Sequence, residues 1–484
     1  MKTGPFRAGS IVAALALIIS ACGPSGTPTA VPSGSTAASP AGTTSAAPSQ
    51  ADVSFAPASL RWYCCLGTGE DPAQIPTEEK VAAGFGQKHS GSSLKIEIVT
   101  YDSARDTLST QIASGNGPDL VGPVGVGGLA AFDGQWLDLG PHIQKTGYDT
   151  SQYDPAAVEF YKSDDGQIGL PFAVYPSMLW YKADMFKEIG LELPPHQYGA
   201  KYKMPDGTEV DWSYDTIKQL AKLLTVDKNG KDATDPAFDP ENIVQYGFEP
   251  QRDDLRGLGA YWGAGNLAGP DGKTVTIPDA WKDAWKFWYD GMWKDHTIMT
   301  AAVAESEEFS GGGYPFFSGR VAMSLNFLWT TYGVADAGKD WDLAAIPSHN
   351  GTITSPLNAD TFAIHKDTKN PDAAFAALSY ILDDSADELL QLYGGMPARP
   401  DRQDAFFETL GKSEGFPEKV DWQVAKDSLQ YADNPNFEAA MPKYNETLTI
   451  LEKYESKFAT TPGLDMDKEI EALRAEIQQA WDAG

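Results

Sequence analysis

LKIEIVTYDSARDTLSTQIASGNGPDLVGPVG, residues 94–125, decides the fold. Its opening residues, LKIEIVTY (94–101), alternate apolar and polar side chains with the period of a half-buried strand. SARDTLSTQIASG (103–115) has helical spacing, with Ser103 placed to cap its start and Gly115 to end it. PDLVGPVG (118–125) returns as a strand. Upstream, TEEKVAAGFGQKH (77–89) predicts a helix with Val81 and Phe85 on its apolar side, and LRWYCC (60–65) an apolar, β-prone run before it. Strand, helix, strand, helix, strand in this order implies parallel βαβ units. Ligands of such sheets sit beyond the carboxyl ends of the strands. That rule gathers Cys64, Cys65 and the glycine-rich GPVGVGG (122–128) at one rim.

The N-terminus begins with Lys2 and Arg7, runs through IVAALALII (11–19) and reaches Ile19-Ser20-Ala21-Cys22. An apolar run this short does not span a bilayer and reads as a secretion signal. Its last four residues resemble a bacterial lipobox, where the chain is cut before a cysteine that carries acyl chains. Each buried methylene contributes about 0.8 kcal/mol, so several chains anchor stably. Residues 1–21 are therefore expected to be a lipoprotein signal peptide, with Cys22 lipidated. The alternative is an ordinary signal peptide with a chance cysteine. Residues 22–56 are almost entirely small, polar or Pro and cannot bury enough surface to fold, so a disordered tether is expected there.

The remaining length suits two domains. Asp plus Glu number 67 against 37 Lys plus Arg, a net charge of -30, which argues against nucleic acid or an anionic membrane face as partner. AWKDAWKFWYDGMW (280–293) sets Trp281, Trp285, Trp288 and Met292 at helical intervals, a buried face rather than a binding one. EIEALRAEIQQAW (469–481) is an amphipathic terminal helix. DKNGKDATDPAFDPEN (227–242) offers oxygens around Gly230, vaguely like a calcium loop, but lacks the EF-hand spacing and has Phe238 at the twelfth position. An acidic turn accounts for it better. No metal and no cofactor are expected.

Seven segments in order and spacing resemble the extracellular solute-binding proteins of family 1, the sugar-binding subunits of ABC importers. They are FGQKHSGSSLKIEIV, LSTQIASGNGPDLV, GQIGLPFAVYPSMLWYKADMFKEIGL, FFSGRVAMSLNFLW (316–329), WDLAAIPSHNG (341–351), SPLNADTFAIHKDTKNPDAAFAALSYIL (355–382) and GGMPARP (394–400), followed by a helical tail from about Pro442. The resemblance implies an α/β, two-lobe periplasmic-binding-protein fold (type II) with the ligand cleft between lobes. It implies chain crossings near Pro171 to Pro176, Pro356 to Asp360 and Met396 to Pro400. The N-terminal lobe would comprise 57–172 and 361–397, the C-terminal lobe 173–360 and 398–484. A ligand touching both lobes would favour the closed state, which the importer recognises.

A sugar presents C–H faces edged with hydroxyls, so its site wants aromatic platforms with polar side chains at the rim. Trp329 matches the position where the family places a stacking tryptophan, and Trp262 a second. Tyr175 falls at the first crossing, where the maltose-binding proteins have an acidic ligand residue. Asn358, Asp360 and Arg399 lie on later crossings, and Glu70 follows the first strand at the cleft rim. Cys64 and Cys65 end that strand. Ordinary disulfides join Cα atoms at least about 4.4 Å apart, whereas neighbours across a trans peptide are about 3.8 Å apart. A bond between them therefore needs a distorted peptide, of the kind functional sites enforce. It would form a flat, sulfur-rich knuckle against a sugar face. The alternatives are two free thiols or a disulfide to a second chain; a zinc site lacks the further ligands it needs.

The expected protein is thus a lipid-anchored, extracytoplasmic receptor, monomeric and not an enzyme. It binds a carbohydrate by lobe closure and delivers it to the permease subunits of an ABC importer. Two rivals remain: the same clamp around another solute such as a polyamine, or a tethered glycoside hydrolase drawing its acids from Glu70, Asp71, Glu249 and Asp360. No GxSxG, HExxH or P-loop pattern is present.

Overall fold

The computed structural model describes residues 54–483 apart from 251–253, 312–313, 337, 414, 434–435 and 440. The signal peptide, Cys22 and nearly all of the tether lie outside the described residues. The first five elements follow the expected order: β1 (Ser59–Cys64), α1 (Ile75–Lys88), β2 (Ser93–Ile98), α2 (Tyr101–Ala113) and β3 (Leu120–Gly125). β1 runs between β2 and β3, parallel to both, with Trp62 beside Ile96 and Leu120. One boundary differs. α2 begins at Tyr101 with Thr100 as its cap residue, and Ser103 lies inside the first turn, its hydroxyl 2.7 Å from that of Thr100.

The strand Ala173–Lys182 holds the molecule together. Its first residues pair with the strands Leu357–Ile364 and Met396–Pro397, while Ser177–Lys182 pair with Met323–Phe327 and Trp341–Ala344. Because Leu357–Ile364 also pairs antiparallel with β3, one ladder system runs from the first half of the chain into the second. Pro176, which has no N–H to donate to a ladder, stands where the long strand exchanges one set of partners for the other. The main hydrophobic core runs through this junction, joining Trp62 and Phe85 of the first half to Trp281 and Trp285 of the second by way of Ala173, Met178 and Leu179.

In the second half the helix Asp279–Trp293 buries Trp281, Trp285, Trp288 and Met292, as their spacing predicts. Trp285 donates its indole N–H to the Leu255 carbonyl at 2.7 Å, tying that helix to Leu255–Tyr261. The terminal helix Met466–Asp482 buries Ile470, Leu473 and Ile477 and packs on Tyr444–Thr460 and Asp279–Trp293. The 227–242 segment is an acidic turn closed on itself. The Asp227 carboxylate accepts the backbone N–H groups of Asn229, Lys231 and Asp239 at 2.7, 2.9 and 2.9 Å.

Candidate functional site

The loop leaving β1 does not run straight into α1. Residues Leu66 to Pro72 instead form one wall of a cavity of about 830 Å³, within the usual range for small-molecule sites. The loop is tied at three points. At its base Cys64 and Cys65 form a disulfide across a cis peptide, and both are fully buried. Gln74 donates to the Thr68 hydroxyl at 3.3 Å and to the Leu392 carbonyl at 3.4 Å. The Glu70 carboxylate accepts the Tyr101 N–H at the start of α2, where the helix dipole favours a negative group.

Thr100, Tyr101 and Asp102 extend this wall, and Asp254, Tyr314, Trp329 and Glu438 face it from the second half of the chain. The base is built from the junction itself: Gly125 at the end of β3, Tyr175 on the long strand, and Asn358 and Asp360 beside it. Sheet register brings these together, since Asn358 lies opposite Tyr175 and Asp360 opposite both Ala173 and Gly125. Asp254 caps the helix Leu255–Tyr261, accepting the Gly257 N–H at 2.7 Å. Asp433 accepts the N–H groups of Leu357 at 2.9 Å and Phe437 at 2.7 Å, which fastens the segment carrying Glu438 to the junction strand.

Trp329 is held as a platform. Its ring stacks on Phe327 at 4.4 Å and 12°, and meets Tyr175 edge-on at 5.4 Å. The partly exposed remainder of the indole lines the cavity. Five of the nine residues expected to touch ligand therefore share this cavity: Glu70, Tyr175, Trp329, Asn358 and Asp360. Four do not line it. Cys64 and Cys65 lie beneath the loop, covered by Gly69 and against Glu78. Trp262 stacks on Tyr214 at 3.6 Å in the core of the second half. Arg399 is engaged by Asp401 at 3.1 Å and Asp383 at 3.5 Å. Glu249, drafted for hydrolysis, accepts from Ser324 at 3.0 Å and lines a different hollow.

Asp102, Asp254, Tyr314 and Glu438 carried no expectation from sequence. Asp254 has the signal of a helix cap ahead of LRGLGAY. Glu438 sits in ADNPNFEAA (432–440), where nothing in the pattern marks it.

Among the described lining residues the charge is one-sided. Six carboxylates line the cavity, those of Glu70, Asp71, Asp102, Asp254, Asp360 and Glu438, and none of the described lining residues is Lys, Arg or His. Asp360 is 7% exposed. Burial and the nearby Glu438 charge push its carboxyl up to about 7, against the smaller opposing pull of the Tyr175 hydroxyl. Beneath the loop, burial raises the Glu78 carboxyl to about 7 even though it accepts the Tyr393 hydroxyl at 2.6 Å. A smaller chamber of about 340 Å³ shares Tyr101, Asp102, Asp254 and Glu438 with the main cavity and adds Arg105 and Arg256. Arg256 donates to the Ala439 carbonyl at 3.0 Å.

The disulfide itself contributes little to stability. Two adjacent residues close a minimal loop, so the entropy removed from the unfolded chain is worth only about 1 kcal/mol. Equilibrium urea unfolding with and without reductant is expected to differ by about that much. A loss of several kcal/mol would mean that the buried sulfurs support the native packing directly.

A two-lobed α/β chain with an open, polar cavity at the strand junction is the architecture of a solute receptor. The chain belongs to the bacterial extracellular solute-binding protein family, which it matches over residues 80–415. A binding protein of Brucella abortus (strain 2308) is 28% identical over 124 residues, which span 25% of this chain and 29% of that relative. Solved structures extend the likeness to nearly the whole chain. An ABC substrate-binding protein of Listeria monocytogenes in complex with cycloalternan is 16% identical, with a TM-score of 0.66 over 88% of this chain and 99% of that one. The maltose/maltodextrin-binding domain of Bdellovibrio bacteriovorus bound to maltotriose is 16% identical, with a TM-score of 0.64 over 87% and 99%. At such identities the likeness establishes the fold: two lobes of the periplasmic-binding-protein type with a cleft between them. The relatives in family and fold are binding proteins, and the family is extracellular. Among the described residues no helix is long and apolar enough to cross a membrane.

Proposed function

We propose that this chain is a lipid-anchored receptor that closes on a carbohydrate and delivers it to an ABC importer. One observation carries the reading: Trp329 offers an indole face, braced by Phe327 and Tyr175, inside a cavity otherwise edged by hydrogen-bonding side chains. An aromatic platform matches the C–H face of a pyranose, and the surrounding carboxylates and amides match its hydroxyls. Because the walls come from both halves of the chain, a ligand bridging them favours the closed form by its differential contacts. The sugars named for the Listeria and Bdellovibrio structures support the same class of ligand. In this reading 57–172 with 361–397 form one lobe and 173–360 with 398–484 the other. Cleavage before Cys22 and its acylation attach the receptor to the outer face of the cell membrane as a monomer, without cofactor or catalysis. Glu70, Tyr175, Trp329, Asn358 and Asp360 contact ligand directly, while Cys64 and Cys65 act through the loop they support.

Thermal shift against mono- and oligosaccharides tests this. A sugar at a hundredfold its Kd is expected to add about 2.7 kcal/mol to stability. Trp329→Ala is expected to weaken that sugar by about 2 kcal/mol, roughly 30-fold, and to lower the ligand-free midpoint as well, since the Phe327 and Tyr175 contacts go with it. Sugar turnover in place of binding would favour the hydrolase, and no response to any sugar would remove the carbohydrate assignment.

A further inference from the structure

The cavity's charge balance is specific enough to restrict the ligand further. Glu70 is taken up by the start of α2, and Asp254 by the helix it caps. Arg256 lies close to both Asp254 and Glu438 from the adjoining chamber. Asp360 is different. It is more than nine-tenths buried at the base of the cavity, and the groups acting on it are another carboxylate, Glu438, and the Tyr175 hydroxyl. No described cation compensates it. Tyr175, 2% exposed and lining the same cavity, ends in a hydroxyl that makes no protein hydrogen bond of normal geometry. Gly125 leaves room here, since a Cβ on it would stand 3.4 Å from an Asp360 oxygen and 3.5 Å from a Glu438 oxygen.

A neutral sugar would leave the buried Asp360 charge without a described counter-cation, and a carboxylated or phosphorylated one would add repulsion. A ligand with an ammonium group answers each feature at once. It neutralises the buried Asp360 carboxyl beside the half-buried Glu438, and its remaining N–H donors or neighbouring hydroxyls reach the Tyr175 oxygen. We propose that the ligand is an amino sugar whose protonated amine docks between Asp360 and Glu438 while its ring lies against Trp329. This rests on the carbohydrate reading above and narrows it to basic sugars. The raised Asp360 carboxyl agrees with it, because an arriving cation returns that group to its charged form.

Titration calorimetry on the full-length protein at pH 7 tests the proposal with defined probes. These are glucosamine and its β-1,4-linked dimer, their N-acetylated counterparts, glucose and cellobiose, and spermidine. The amine-bearing sugar is expected to bind at least tenfold more tightly than both its N-acetylated and its hydroxyl analogue. Asp360→Asn and, separately, Glu438→Gln are expected to shrink the amine-to-N-acetyl affinity ratio to below about threefold; Glu438→Gln serves should Asp360→Asn fail to fold. If neutral or N-acetylated sugars bind as well as the amines, the amine proposal falls and the carbohydrate receptor stands. Binding of spermidine with no response to any sugar overturns both readings in favour of a polyamine clamp. Silence from every probe overturns both as well.

Discussion

The ligand-free protein is expected to lose stability as pH rises from about 4 to about 8, with Asp360 as the largest single source. Its carboxyl is held at about 7 rather than the ordinary 3.8. Below about pH 4 folded and unfolded chains both keep this proton, and the group is neutral in the stability balance. Between the two values only the folded chain binds it, so stability falls with pH; above about 7 both have released it and the cost is complete. The interval corresponds to a cost on the order of 4 kcal/mol. Glu78, raised to about 7, and Asp433, raised to about 6, act in the same direction. A chain of net charge -30 also gains from losing negative charge in acid, so the slope alone does not identify the group. Asp360→Asn does. It keeps the shape and removes the charge, so its midpoint should exceed that of the wild type at pH 8 and approach it at pH 4.5. Parallel Tm-against-pH curves for the two proteins would show that Asp360 is not the buried cost described here. A protein keeps such a group where binding recovers the loss, as it does when a ligand reaches the carboxyl.

How much of this was legible in the sequence follows from the range of each signal. The five leading elements were readable because periodicity acts over a few residues: Val81 and Phe85 recur at helical spacing, and 94–98 alternate. The boundary of α2 was not, because Thr100 and Ser103 are both competent caps and only the packing of Glu70 against the Tyr101 N–H selects one. The lining of the candidate site was legible where it lies on the junction strands, since resemblance placed Tyr175, Asn358 and Asp360 along the crossings and all three line the cavity. It was invisible where side chains from distant loops converge. Glu438 reaches the cavity from a segment that Asp433 and Asn436 both tie to Leu357. Trp262 shows the opposite failure: its type suits a sugar platform, but Tyr214 already occupies its face at 3.6 Å. Residue type alone does not reveal which faces the fold has used.

Gly69→Ala is expected to be the most damaging single substitution in the loop that walls the cavity. Gly69 has φ of +119°, a conformation L side chains rarely adopt, and a Cβ there would sit 2.5 Å from a Glu78 carboxylate oxygen and 2.6 Å from the Cys64 sulfur. Neither neighbour can yield easily. Cys64 is fixed by its bond to Cys65, and Glu78 by the Tyr393 hydroxyl at 2.6 Å in a fully buried position. The loop must therefore lift, and because it supplies Leu66 to Pro72 to the cavity wall, stability and binding should fail together. Crowding of this kind costs about 1–3 kcal/mol, added to about 1 kcal/mol for the backbone conformation, with at least a tenfold loss of ligand affinity. Gly115→Ala separates these contributions: Gly115 also has a positive φ, +72°, but a Cβ there meets nothing within 4 Å. It should show only the backbone cost and bind ligand normally. If the two variants unfold alike and bind alike, the loop does not rest on the Cys64, Cys65 and Glu78 base, and the disulfide has no path to the site. If Gly69→Ala loses affinity out of proportion to its stability, the sulfurs set the position of the wall that ligand touches, and reduction of Cys64–Cys65 should weaken binding in the same way.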